Sequence, residues 1–306
     1  MKKQGGMPMA GQDKMAAVPQ AVYRPASVEE AWALKQKFGG AAALIAGGTL
    51  LQMKREQGAV FPPCLISLEH IKELYDIHVS AQNLAIGSCV RLSDLRKNSL
   101  IEKDWHILHE AVRRVAAPAV RNRATIGGNV CYMSGDTIPA LLSLGAKAVW
   151  FDGDYKTDDL QVFLQQAPLH PSCILTAILL PEPPAVEKKI CFYQKIGRRA
   201  AFTPSLTVVS FFAGLTNENR VEQIRIAAGG GSSFPKRLTA CEQFLKGKVL
   251  AEEVMAVAHE KIMEEYDPLP DAFATVDYRK KAASNLIVST FISFLNGKDG
   301  ADEAEA

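Results

Sequence analysis

Between Arg121 and Asn129 the chain reads Arg-Asn-Arg-Ala-Thr-Ile-Gly-Gly-Asn, and no other stretch constrains the possible folds so sharply. Gly127 and Gly128, placed just behind Thr125, let the backbone approach a neighbour or a ligand more closely than any side chain permits. Amide groups gathered on such a turn converge on an anion. A second pair, Gly47 and Gly48, follows the apolar run Ala41 to Ile45 and precedes Thr49 and the helical stretch Leu50 to Gln57. A strand, a glycine turn and a helix start place an anion at the positive end of the helix dipole. Two such cradles in one domain suit a ligand that carries two phosphates.

The surrounding pattern supplies an α/β framework for both loops. Ser27 with Glu30 caps a helix whose apolar positions Val28, Ala31, Trp32 and Phe38 stop at Gly39-Gly40. With the strand Ala41 to Ala46, the helix after Gly48, the short strand Leu65 to Leu68 and a helical turn or loop at Ile71 to Leu74, residues 21–74 read as a β-α-β-α-β lobe. A second lobe, residues 75–184, opens with brief strands at Ile77 to Ser80 and Leu84 to Gly87. It continues with a capped helix at Leu92, a helix from Ile107 to Val115 ended by Ala117-Pro118, and an apolar helix from Ile138 to Leu144. A strand from Ala148 to Phe151 runs into the turn Asp152-Gly153-Asp154, and another spans Ile174 to Leu180. Pro181, Pro183 and Pro184 then mark a boundary. Residues 188–298 read as three strands, Ile190 to Ile196, Leu206 to Leu215 and Ile224 to Ala228. Helices follow at Leu238 to Leu245, Ala251 to Tyr266 and Tyr278 to Leu295, an α+β order. Gly229-Gly230-Gly231 leads to Pro235 and reads as a flexible turn rather than a third cradle.

Composition narrows the function classes. A net charge of +2 with dispersed basic residues gives no reason to invoke nucleic acid or an acidic membrane surface. No apolar run is long enough for a bilayer span, and the six cysteines never reach CxxC spacing, so the chain reads as cytoplasmic, reduced and without an encoded cluster or zinc site. His106 and His109 lie one helical turn apart with no third ligand apparent, which makes a solvated or capping pair of them. Residues 1–20 hold little apolar periodicity and read as a flexible extension. Neither GxGxxG nor GxxxxGK occurs, and no Ser/His/Asp or Cys/His combination can be assembled. Asp136 either reaches a sugar hydroxyl or caps the helix that starts at Ile138.

Taken together, Ala46-Gly47-Gly48-Thr49, the stretch Val120 to Asn129, and Tyr193-x-Lys195-x-x-x-Arg199 resemble the FAD-binding medium subunit of molybdenum hydroxylases. That group includes xanthine dehydrogenase, nicotinate dehydrogenase and carbon monoxide dehydrogenase. The similarity extends from about Val22 to the terminal helix and takes in Arg24-Pro25, Leu84 to Gly87 and Tyr278-Arg279. It implies a PCMH-type FAD domain of two α/β lobes, residues 21–184, followed by a smaller domain with a three-stranded antiparallel sheet and helices. It also implies FAD as the sole cofactor, held by Ile45, Ala46, Gly47, Gly48, Thr49, Leu50 and Leu51 from the first loop and by Ala124, Thr125, Gly127, Gly128 and Asn129 from the second. Val115, Ala116 and Leu179 match pocket-lining positions, Asp136 a ribose or adenine contact, Lys195 a lysine near the flavin, and Phe202 or Thr203 the residue that covers the ring. The segment Cys131 to Asp136 is shorter than the usual form, and the first loop carries Leu50 where a polar residue is common.

By the same resemblance the chain passes electrons from [2Fe–2S] clusters in a small partner subunit through FAD to NAD⁺ or another acceptor. A molybdopterin-binding large subunit performs the substrate chemistry, so no catalytic acid or base and no metal ligand is expected in this chain. Two alternatives are a self-contained FAD oxidoreductase of the vanillyl-alcohol oxidase type and a structural subunit without flavin.

Overall fold

A computed structural model describes residues 21–80, 82–199, 203–231 and 233–297; the extension expected over residues 1–20 and the position of Phe202 lie outside them. The first lobe contains β1 (Ala21–Tyr23), α1 (Val28–Phe38), β2 (Ala42–Ile45), α2 (Thr49–Glu56) and β3 (Cys64–Ser67), with the strands parallel in the order β1-β3-β2. The Ser27 hydroxyl accepts the Glu30 amide at 3.2 Å and the Glu30 carboxylate accepts the Ala26 amide at 2.8 Å. This fixes the entry to α1, whose Val28 and Ala31 are buried against Ile66 and Leu74.

The second lobe is built on an antiparallel sheet of five strands, β4 (Ile77–Val79), β5 (Asn83–Gly87), β6 (Lys147–Phe151), β7 (Tyr155–Asp159) and β8 (Ile174–Pro181), in the order β4-β5-β8-β6-β7. Six short helices lie between β5 and β6 in the chain: α3 (Leu92–Lys97), α4 (Ser99–Asp104), α5 (His106–Arg114), α6 (Pro118–Arg121), α7 (Ile126–Cys131) and α8 (Ile138–Ser143). A further helix, α9 (Leu160–Gln166), packs at the far edge. Leu84, Ile86, Trp150, Ile178 and Leu180 from the strands meet Leu95, Leu108, Val112 and Ile126 from the helices in one core.

Beyond the prolines run β9 (Lys188–Gly197), β10 (Ser205–Leu215), β11 (Val221–Gly230) and β12 (Ser233–Arg237), antiparallel in the order β12-β11-β10-β9. Three helices follow among the described residues, α10 (Thr239–Leu245), α11 (Glu252–Glu265) and α12 (Val276–Leu295). Every residue of β10 is buried, because both faces of this sheet are covered. On one face Phe211 stacks between Phe192 and Phe291, with ring centroids 5.2 and 4.7 Å apart. On the other, Val208 and Phe212 pack with Ile107 and Ala111 of α5 and Ala140 of α8, and the Ser143 and Ser210 hydroxyls lie 2.7 Å apart. The C-terminal sheet is thus the shared wall between the second lobe and the terminal helices.

The α+β order and the two lobes agree with the sequence. The sheet, however, has a fourth strand where the sequence reads as a turn. Pro235 donates no backbone hydrogen bond, and it is tolerated because β12 is an edge strand paired only with β11. The turn expected at Asp152-Gly153-Asp154 is there and joins β6 to β7 as a hairpin, but β7 and α9 behind it have no counterpart in the sequence reading, and the Gly127-Gly128 pair begins a helix.

Two tests follow from this packing. Phe211→Ala empties the centre of the aromatic stack and should lower stability by about 3–5 kcal/mol in urea unfolding. Arg279 is wholly buried, pairs with Asp271 at 2.6 Å and donates to the Leu206 carbonyl. Burial pushes the Asp271 carboxyl up, but the Phe273 amide, the Arg279 guanidinium and the Ala274 amide reverse this and hold it below its ordinary value. Stability from this pair is therefore complete above the ordinary carboxyl value of about 4 and is lost as pH falls through the lower folded value. Asp271→Asn should flatten that acid limb in melting curves.

Candidate functional site

The two glycine loops, more than seventy residues apart in sequence, meet backbone to backbone. A Cβ on Gly47 would sit 1.9 Å from the Arg123 carbonyl oxygen and 3.1 Å from the Ala124 Cα, so only glycine fits there. Arg123 in turn donates from Nε to the Gly47 carbonyl at 3.4 Å. Ile45 ends β2 and packs beside Gly48, which takes φ +73° and turns the chain into α2. No side chain caps that helix, whose first intrahelical bond runs from Gln52 to the Gly48 carbonyl at 3.0 Å. The amides of Thr49, Leu50 and Leu51 therefore stand at an uncapped, positive helix end.

The second loop is arranged differently. Its amides are spent within the fold: Ile126 donates to Val90, Gly127 to Ser88 at 2.8 Å, and Gly128 to the Thr125 hydroxyl oxygen at 3.1 Å. Gly127 is needed because a Cβ there would meet the Ser88 Cβ and carbonyl at 2.6 and 2.7 Å. The expected convergence of this loop's amides on an anion does not occur. What it offers instead is the Thr125 hydroxyl, still free to donate, and the exposed backbone of Gly128. Asn129 turns inward, its Oδ1 accepting the Thr137 amide at 3.1 Å and the Thr137 hydroxyl at 2.6 Å.

Val115 and Ala116 form the turn after α5, and Ala116 takes φ +46°. The buried Arg121 holds that turn by donating from one nitrogen to both carbonyls, at 2.7 and 2.5 Å. Asp136 does not take up the helix-cap role that the sequence leaves open for its carboxylate. It is not the cap of α8, whose N-cap is Thr137 with no side-chain bond. Its carboxylate instead receives the Lys195 ammonium at 2.7 Å and the Ser205 hydroxyl at 2.6 Å, while its carbonyl accepts the Tyr193 hydroxyl at 3.0 Å. Burial, then the Asp136 carboxylate, raise the Tyr193 phenol well above its ordinary value, so it remains a donor.

Lys195 also donates to the Arg114 carbonyl at 3.3 Å, and Arg114 reaches Gln194 at 2.8 Å. The cluster ties β9 to the turn containing Val115. Tyr193, Ser205 and Arg114 were not among the sequence candidates, although alternation on β9 puts Tyr193 on the same face as Lys195. Leu179 sits on β8 opposite Ala85 and Lys147, and no hydrogen bond joins it to the glycine loops among the described residues. Also among the described residues, no group of three metal-ligating side chains occurs, and no helix is long and apolar enough to cross a membrane.

A diphosphate-bearing cofactor fits these residues. Backbone approaches that a Cβ would fill bring the loops together, a helix end lies uncapped, and the loop it meets carries the Thr125 hydroxyl, which has a proton to donate.

The family described as the FAD binding domain in molybdopterin dehydrogenase matches residues 14–183, and the CO dehydrogenase flavoprotein C-terminal domain matches residues 192–294. The carbon monoxide dehydrogenase medium chain of Hydrogenophaga pseudoflava is 28% identical over 87% of this chain and 93% of its own length. Protein YgfM of Escherichia coli K12 is 32% identical over 76% of this chain and 83% of its own. Among solved structures, carbon monoxide dehydrogenase from Hydrogenophaga pseudoflava lacking the Mo-pyranopterin moiety superposes with a TM-score of 0.81 at 25% identity, covering 89% of this chain and 96% of that one. Quinoline 2-oxidoreductase from Pseudomonas putida 86 gives 0.79 at 25% identity, covering 92% and 98%. With its two loops joined at Gly47 and these matches spanning both halves, the chain belongs to the FAD-binding family of molybdopterin dehydrogenases and is an FAD-dependent oxidoreductase subunit of the molybdenum hydroxylase type.

Proposed function

We propose that the chain is the electron-transfer member of a three-part complex, receiving electrons from [2Fe–2S] clusters in a small subunit while a molybdopterin-binding large subunit oxidises the substrate. The terminal acceptor on this reading is NAD⁺ or another acceptor. Residues 21–184 form the cofactor-holding domain and residues 188–298 a second α+β domain. All six cysteines are free, which favours a reducing cytoplasmic setting. The observation that carries the reading is the backbone contact of Gly47 with Arg123, which brings the uncapped start of α2 to the loop that carries Thr125.

Residues from Ile45 to Leu51, with Ala124, Thr125, Gly127, Gly128 and Asn129, would hold the FAD diphosphate and its surroundings. In this assignment the α2 amides and the Thr125 hydroxyl bind, whereas Gly127 and Asn129 brace the loop. Val115 and Ala116 line the flavin pocket, their carbonyls oriented by Arg121. Lys195 acts near the flavin with its charge balanced by Asp136, which makes Asp136 a positioning residue more than a ribose ligand. Leu179 belongs to the same pocket on this reading. Bound FAD supplies the conversion between single electrons and an electron pair that leaves as hydride. The chain's own part is to fix the cofactor and exclude water, with no side chain required to carry a proton.

The purified full-length chain should take up FAD with the visible absorption of a flavoprotein, and failure to take up added FAD would overturn the reading. Gly47→Val should reduce retained flavin at least about tenfold, since a side chain at that contact must part the loops. Circular dichroism should still report the β9–β12 sheet. From native cells the chain should co-purify with one molybdopterin-bearing and one iron–sulfur partner in intact-complex mass spectrometry. Turnover by the solitary chain would favour a self-contained oxidase instead.

A further inference from the structure

At the outer edge of the seam between α5 and the C-terminal sheet lies a cavity of about 290 Å³, away from the glycine loops. Its floor is one face of the sheet: Cys191, Phe212 and Arg225 form a single cross-strand row, with Lys189 two positions along β9 on the same side. Its wall includes His106, where α5 begins with no side-chain cap on its first amides, and Leu144.

Arg225 is the unusual member. Its guanidinium is half-buried and packs on Gly145, yet it makes no hydrogen bond or ion pair among the described residues. Two carboxylates act on it from a distance, Glu242 and Asp159, and neither forms an ion pair with it; the Glu242 carboxylate is committed to Arg237 and to the Ile226 amide at 2.8 Å. Glu102 and Asp104 share the rim with Lys103 and make no ion pair with Arg225. A half-buried guanidinium with no anion paired to it is costly. A planar carboxylate satisfies it in a bidentate fashion, Lys189 adds a second positive charge, and Phe212 and Leu144 offer apolar contact to whatever carries the carboxylate. The volume lies at the small end of the range for ligand pockets, about 300 Å³.

We propose that this cavity is a second binding site on the chain, for a small carboxylate with a compact apolar or aromatic body. It sits at the opposite end of the β9 face from Lys195, and its assignment does not depend on the cofactor reading.

Cys191 provides an intrinsic reporter, being exposed within the cavity. Burial pushes its thiol up and Lys189 draws it back, so labelling is best run at about pH 9. Sodium benzoate added to the full-length protein should slow iodoacetamide labelling of Cys191 at least about fivefold, read by peptide mass spectrometry, whereas labelling of Cys131 should be unaffected. Arg225→Gln should raise the benzoate concentration needed by about tenfold or more, as expected for loss of a charged hydrogen-bonding partner. Lys189→Gln, on the exposed edge, should raise it severalfold and serves as the second variant if Arg225→Gln does not fold. Absence of protection in the unaltered protein overturns the proposal. So does equal protection by inorganic phosphate or chloride at matched ionic strength, or unchanged protection in folded Arg225→Gln protein.

Discussion

The molecule depends on one backbone contact, that of Gly47 with the Arg123 carbonyl. It is a meeting of two lobes with separate sheets, one parallel and one antiparallel. Joined there, the uncapped start of α2 meets the loop that carries Thr125. The division of labour is unequal: one loop keeps its amides free, while the other spends its amides on structure and offers a side chain.

The second dependence is a ring of polar contacts around Asp136. Lys195, Ser205 and Tyr193 come from β9 and β10, yet all bond to this one residue of the second lobe. Arg114 closes the ring through Gln194 and carries the effect to Val115 and Ala116. A buried ion pair of this kind contributes little net stability, since desolvation offsets much of its attraction. Its contribution is geometric, because it fixes the lysine relative to the turn that Arg121 pins.

Much of this was legible from residues alone. The capped start of α1 at Ser27, the glycine after β2 and the continuous apolar run of β10 are local signals, each complete within a few positions. Asp136 stands out in the sequence but its bonds do not, because its partners lie more than fifty residues away and no local pattern names them. Pro235 misled for a different reason: proline forbids a central strand, and only the tertiary arrangement shows that Ser233–Arg237 is an edge. β7 was hidden by its own composition, Tyr-Lys-Thr-Asp-Asp, in which an exposed edge strand carries almost no apolar alternation. The inward turn of Asn129 and the internal bonds of Ile126 and Gly127 belong to the same class. Glycine pairs announce close approach without saying what approaches.

The doubly covered β10 also bears on how the chain is made. During synthesis the N-terminal lobes emerge first, and domains tend to fold in that order. The α5 and α8 surface is then ready when β9 and β10 leave the ribosome, so one side of the sheet has a template waiting. The other side does not, because Phe291 lies in α12, some eighty residues further along. Until α12 is made, that side of the nascent sheet lacks its cover. That interval is when the chain is most open to aggregation and most in need of a chaperone.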